Sequence, residues 1–104
     1  MIEFEWDPRK AKSNAQKHGV TFEEATLVFQ DPHIVSEQDR VVDGEIRWQS
    51  LGLVHGVMLA LVAHTSDIDK QGLTEVIRII SARKANPRER IRYAKARTKE
   101  ASGH

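Results

Sequence analysis

Val57-Met58-Leu59-Ala60-Leu61-Val62-Ala63-His64-Thr65 and, after a polar interval, Glu75-Val76-Ile77-Arg78-Ile79-Ile80-Ser81-Ala82-Arg83 decide the fold. Both runs are rich in branched aliphatic residues and are strand-length rather than helix-length, so they read as strands near the middle of a sheet. Val54-His55-Gly56 ahead of the first is a tight turn. Before it, Glu45 to Leu53 alternates polar and apolar residues at its start, giving another strand. Residues 66–72 are mostly polar, end in Gly72 and form a loop. His33 to Glu37 is a short edge strand, and Phe4 to Trp6 another short one.

Helix signals fill the remainder. Asp7-Pro8 is an N-cap followed by proline at the first helical position, and that helix ends at His18-Gly19, glycine supplying a left-handed cap. Thr21-Phe22-Glu23-Glu24 has capping-box spacing and opens a second helix to about Phe29, stopped by Asp31-Pro32. Asn86-Pro87 starts a last helix running to about Lys99, and Ala101 to His104 are expected to fray. The order is β-α-α-β-β-β-β-α. Short connections predict an antiparallel sheet, with the two N-terminal helices on one face and the other face left for a ligand. The fold class is α+β.

At 104 residues, 39% hydrophobic and 30% charged, the chain fits one domain, 1–104, able to bury a core without disulfides or a structural metal. It has no cysteine, which excludes disulfides, thiolate catalysis and Cys-ligated zinc, and agrees with an expected cytoplasmic location. The start, Met1-Ile2-Glu3-Phe4-Glu5-Trp6, has no signal-peptide pattern, and Val57 to Ala63 is far too short to span a bilayer. No membrane role is expected.

The net charge of +1 conceals an uneven distribution. Residues 1–77 carry seven Lys/Arg against thirteen Asp/Glu, and residues 78–104 nine against two. A basic end of this kind suits a polyanion such as nucleic acid, or is simply a solvated basic helix.

Familiar catalytic constellations are absent: there is no glycine-rich phosphate loop, GxSxG or HExxH, and the five histidines lack metal-ligand spacing. Neither a metal nor a cofactor is expected. What stands out is arginine within strands. Arg47 lies in the alternating strand, Arg78 interrupts an aliphatic run, and Arg83-Lys84 close it. Strict alternation puts Arg78 and Lys84 on one face and Ser81 and Arg83 on the other. A guanidinium fork grips phosphate oxygens at two points and stays charged at any relevant pH. The structural alternative is pairing with a carboxylate such as Glu45 or Glu75. For Arg78 pairing is the favoured reading; for Arg47 and Arg83 the two readings stand level. Tyr93 in the last helix either stacks on a base or packs its ring and exposes its hydroxyl.

Several segments together resemble one family. These are Phe4-Glu5-Trp6-Asp7-Pro8-Arg9-Lys10-Ala11, Asn14, Lys17-His18-Gly19-Val20-Thr21-Phe22-Glu23-Glu24-Ala25 and Phe29-Gln30-Asp31-Pro32. Gly44-Glu45-Ile46-Arg47-Trp48, Ile77 through Ala85, Arg88-Glu89-Arg90 and Tyr93 extend the match in order along nearly the whole chain. They closely resemble the BrnT toxins. The resemblance implies a RelE-like fold and a ribonuclease that cleaves RNA without metal and arrests translation. It also implies neutralisation by a BrnA-type antitoxin, with operator DNA bound only through the complex. By position it makes Arg47 and Arg83 the catalytic candidates and Arg78, Lys84, Arg88 and Tyr93 the RNA contacts. His18 suits helix capping as readily as catalysis. Where family members often carry His-Thr-Glu-Arg after the long strand, this chain has His64-Thr65-Ser66-Asp67. His64 is then the candidate proton carrier, since an unperturbed imidazole titrates near neutrality. The alternative is a non-catalytic module of the same fold, acting through its partner as a DNA-bound repressor.

Overall fold

A computed structural model describes residues 1–102. Gly103 and His104, the end of the segment expected to fray, lie outside the described residues. The elements are β1 (Ile2–Glu5), α1 (Pro8–His18), α2 (Phe22–Thr26), a 3-10 turn (Leu27–Gln30), β2 (Val35–Val42), β3 (Glu45–Val54), β4 (Met58–Ile68), β5 (Glu75–Lys84) and α3 (Pro87–Ser102).

Every helix starts where its cap residues say. Asp7 accepts from the Arg9 N–H at 2.8 Å, and Gly19 closes α1 at φ 70°. Thr21 and Glu24 form the reciprocal capping box of α2. Asn86 and Glu89 form another at α3, Glu89 N–H to Asn86 at 2.8 Å and Asn86 N–H to Glu89 at 2.9 Å.

The five strands form one sheet in the order β1-β5-β4-β3-β2. β2 through β5 are antiparallel neighbours, but β1 pairs with β5 in parallel. The sheet is therefore mixed, which corrects the antiparallel expectation. The short-connection rule governs the meander only. β1 reaches β2 through two helices and a turn, and that length lets it dock beside the last strand instead of the next one. β2 is also longer than the predicted edge strand, and β4 continues to Ile68, shortening the predicted loop.

α1, α2 and the 3-10 turn cover one sheet face. Its core is Val20, Phe22, Ala25, Val28, Val54, Ala60, Val62, Ile77, Ile79 and Ala82. Gly52 is required there: a Cβ on it would sit 2.8 Å from Val28 Cγ1 and 2.8 Å from the Val28 carbonyl oxygen. Only glycine lets the 3-10 turn lie against β3. Asn14 fastens α1 where β1 has stopped. Its side chain accepts from the Ala82 N–H at 3.1 Å and donates to the Ala82 carbonyl at 2.8 Å, completing the free edge of β5 as a strand would. A smaller cluster, Leu51, Leu61, Ala85 and Tyr93, holds α3 against one end of the opposite face.

Candidate functional site

Residues opposed across a ladder share a face, so register assigns the site. Two β-bulges shift that assignment. In β5, Ser81 opposes Ala63 but Ile79 opposes His64, leaving Ile80 as an extra residue. In β2, Gln38 opposes Trp48 but Arg40 opposes Arg47, leaving Asp39 extra. A bulge re-aims every side chain beyond it. Arg78, Ser81 and Arg83 consequently share the face away from α1 and α2, while Lys84 falls with Ala82 on the other. The predicted grouping of Arg78 with Lys84 is corrected: it assumed unbroken alternation.

Arg47 lies on the same face as Arg78. Glu45, two residues before it on β3, reaches Arg78 Nη2 at 2.6 Å. Register then gives a row across the sheet, Arg40, Arg47, Thr65, Arg78, with strand neighbours about 4.8 Å apart. The carboxylate pairing favoured for Arg78 is what the structure has.

Arg47 and Arg83 have different surroundings. Arg83 clasps Glu89 with both terminal nitrogens, Nη1 to Oε1 at 2.8 Å and Nη2 to Oε2 at 2.9 Å. The Glu89 bonds hold the Arg83 guanidinium more firmly charged than usual, burial opposing them. Burial acts to raise the Glu89 carboxyl, and the bonds from Arg83 and the Asn86 N–H outweigh it, leaving it below the ordinary 4.5. Arg83 thus ties β5 to the first turn of α3. Arg47 has no hydrogen bond or ion pair among the described residues, and its Nε is buried without an acceptor. Its Cα lies two strands over and four residues along from that of Arg83, roughly 16 Å by strand geometry. The structure does not bring the two together.

His64 faces the other way. It stands in the helix-covered face with Val62 and Ala60, only 5% exposed, edge-on to Phe29 with ring centroids 4.9 Å apart. Its Nδ1–H donates to the Thr65 carbonyl at 3.1 Å, leaving Nε2 to accept the Ser50 hydroxyl at 2.7 Å. Ser50 is in turn bonded to Ser36 at 2.8 Å. Burial, above all, pushes the imidazole below 6.5, against the Thr65 bond and Glu75. The proton carrier expected beside the arginines is therefore a neutral core histidine: strand alternation turns residue 64 inward.

Tyr93 is corrected as well. Its ring is 5% exposed, its hydroxyl donates to Asp31, and the Arg97 guanidinium stands 5.9 Å from the ring centroid. No face is left for a base. Lys84 and Arg88 are exposed, Lys84 behind the sheet and Arg88 on the first turn of α3. No three His, Asp or Glu side chains among the described residues stand together as a metal-ligand set, and no helix among them is long and apolar enough to cross a membrane.

Sequence reasoning missed Arg40, Gln49, Thr65 and Ser81, which share the face with Arg47. Gln49, two residues from Arg47 on β3, and Thr65, through the His64-Thr65 pair, were within reach; the placement of Arg40 and Ser81 depends on the bulges. It also passed over the charge of α1. Pro8–His18 holds Arg9, Lys10, Lys12 and Lys17 and no acid, a signal hidden in the acidic average of the first 77 residues.

Comparisons with known proteins bear on the fold and the family. A search of curated proteins finds no match. The crystal structure at 1.1 Å of the Brucella abortus ribonuclease toxin BrnT is similar in fold, with a TM-score of 0.58 and 21% identity. The likeness covers 83% of this chain and 99% of that one. The profile of the family described as the ribonuclease toxin BrnT of type II toxin–antitoxin systems matches residues 6–89. This chain belongs to the BrnT family of ribonuclease toxins.

Proposed function

We propose that this chain cleaves RNA without metal, on the open sheet face around Arg47, and is silenced by a BrnA-type antitoxin. One observation carries the reading: a half-buried arginine with no partner among the described residues, its Nε removed from water without an acceptor. A buried donor left unbonded costs about 1–3 kcal/mol. Arg40, directly opposite and only loosely paired with Asp39 at 3.9 Å, brings a second cation beside it. A phosphate oxygen between them serves both.

In the reaction the 2′-oxygen bonds to phosphorus, the bond from phosphorus to the 5′-oxygen breaks, and a 2′,3′-cyclic phosphate and a 5′-hydroxyl result. One proton leaves the 2′-hydroxyl and one reaches the departing oxygen. Charge peaks on the non-bridging oxygens of the pentacoordinate phosphorus, where Arg47 is already placed and needs no reorganisation. Arg40 stands alongside, exposed, while Thr65 is buried in the row. Arg83 acts indirectly, by fixing α3. The cellular consequence is translation arrest in the cytoplasm, relieved by the antitoxin, and operator DNA is engaged only by the pair.

Purified toxin incubated with cellular RNA in excess chelator tests this. Arg47→Ala lowers the cleavage rate by about 10²–10³ and leaves the melting temperature unchanged or raised. Cleavage that persists in Arg47→Ala, or that chelator abolishes, rejects the assignment. One observation favours the non-catalytic module: the Arg40–Arg47–Thr65–Arg78 row contains no histidine or carboxylate to act as general base. That reading predicts no cyclic phosphate product and no growth arrest when the toxin is expressed alone.

A further inference from the structure

Across the bulge from the arginine face lies a second cationic feature with no assigned task. α1 and β5 enclose a groove of about 340 Å³ lined by Arg9, Lys10, Ser13, Lys17, His18 and Ser81. Its helical side is one stripe. Arg9, Ser13 and Lys17 follow each other at i, i+4, i+8, and Lys10 and His18 flank Asn14 in the adjacent row. Lys12 lies off the stripe. None of these side chains forms an ion pair among the described residues.

Helix stability accounts for only half of them. Lys17 and His18 sit in the last turn, where cations suit the helix dipole. Arg9 and Lys10 occupy the first turn, where there is no acid and where positive charge opposes that dipole. The groove wall is preset, because the buried Asn14 bonds α1 to both backbone groups of Ala82. It is also continuous with the face of Arg47. Ser81 stands in the sheet row of Gln49 and Ala63 and lines the groove as well. The opposite exit from Arg47 is acidic, a cavity of about 300 Å³ lined by Glu5, Glu45, Asp67 and Asp69 beside Arg78 and Lys70. A polyanion leaving Arg47 is repelled there and drawn toward α1.

We infer that this groove binds the sugar–phosphate backbone of the substrate RNA beyond the scissile position, with Arg9, Lys10, Lys17 and His18 contacting consecutive phosphates. The inference rests on the reading of the Arg47 face as the cleavage site. From Arg9 to Lys17 the stripe runs about 12 Å, room for several nucleotides of a strand stacked at about 3.4 Å each. The contacts go to backbone and carry no base preference.

The test is binding of a 2′-O-methyl RNA oligonucleotide, which cannot cyclise, to the full chain across a salt series. Arg9→Gln/Lys17→Gln lowers the slope of log affinity against log salt by about 1.4, the release expected for two single-strand phosphate contacts, or roughly 25-fold weaker binding at 0.1 M salt. Lys12→Gln removes a charge from the same helix outside the groove and leaves the slope within error of wild type. An unchanged slope in the double variant, or an equal fall in Lys12→Gln, overturns the groove. So does a double variant that binds RNA normally but loses antitoxin. Cleavage that is indifferent to Arg47→Ala while the slope still falls rejects the cleavage site and keeps the groove.

Discussion

The face away from α1 and α2 has two ends built on the same strands and put to different uses. At one end Leu51, Leu61, Ala85 and Tyr93 pack under α3, and the strand arginine there, Arg83, is paired with Glu89. At the other, Arg40 stands exposed beside the half-buried Arg47 with Thr65 buried in the same row, and Arg47 has no partner among the described residues. Four residues of β3 separate Leu51 from Arg47. Substitutions at the covered end should therefore change stability and those at the open end activity. An arginine in a strand is informative only with its carboxylates: a paired guanidinium is structural mortar, an unpaired one waits for an anion.

The sharpest break in that contrast is Leu51→Ala. Leu51 is fully buried between the sheet and α3, and removing it costs about 2–5 kcal/mol, the range for a leucine truncated in a packed core. Gln49→Ala, two residues nearer Arg47 on the same face, should stay within about 0.5 kcal/mol of wild type. Chemical denaturation of both variants checks this. Equal losses would mean the open end is part of the core.

Glu89→Ala tests the clasp. It removes both bonds to Arg83 and the cap of the Asn86 N–H, for a loss of about 2 kcal/mol. That figure is kept low because the Arg83 side chain is 38% exposed and the pair is partly screened. The loss depends on pH. Because the folded Glu89 carboxyl lies below 4.5, its contribution is complete above the unfolded value and disappears as pH falls through the folded one. Wild type and variant should converge in stability in acid, and differ most at neutral pH. A gap independent of pH between 3 and 7, a window set by the carboxylate range, would assign the loss to packing instead.

Local chemistry was readable from residues, and long-range geometry was not. The caps at Asp7, Thr21 and Asn86, the glycine stop at Gly19 and the strand runs of β3 to β5 all rest on neighbours in sequence. The Arg78 pairing is the exception: its partner Glu45 stands two strands away on β3, and only the need of a strand arginine for a carboxylate pointed to it. Ile80 looks like any strand isoleucine; that it is an extra residue depends on how β4 is laid beside it, which no local pattern carries. That single bulge moved Arg83 to the face of Arg78 and Lys84 off it. His64 faced inward because the strand is buried on both sides there, where alternation leaves no polar marker of direction. The parallel docking of β1 on β5 was not legible, because the chain between β1 and β2 is long enough to go either way. The basic stripe of α1, by contrast, was legible and was lost in averaging charge over half the chain.

A smaller loss is expected within the covered end, where Tyr93 meets Asp31. Asp31, after the 3-10 turn, accepts from the Leu53 N–H at 2.8 Å, from the His33 N–H at 2.8 Å and from the Tyr93 hydroxyl. Burial acts to raise its carboxyl, and these bonds outweigh it, so it lies below 3.8 and is ionised at neutral pH. Tyr93→Phe keeps the ring in the Leu51 cluster and removes one bond of three. The carboxylate retains its backbone donors, so no charge is stranded and the cost is about 1 kcal/mol. Were Tyr93 instead a base-stacking residue, Phe would be neutral in stability and Tyr93→Ala would weaken RNA binding without unfolding the protein. Thermal unfolding of Tyr93→Phe and Tyr93→Ala separates the cases. A buried tyrosine loses a little as Phe and, as Ala, enough to loosen α3 and the Arg83–Glu89 clasp with it.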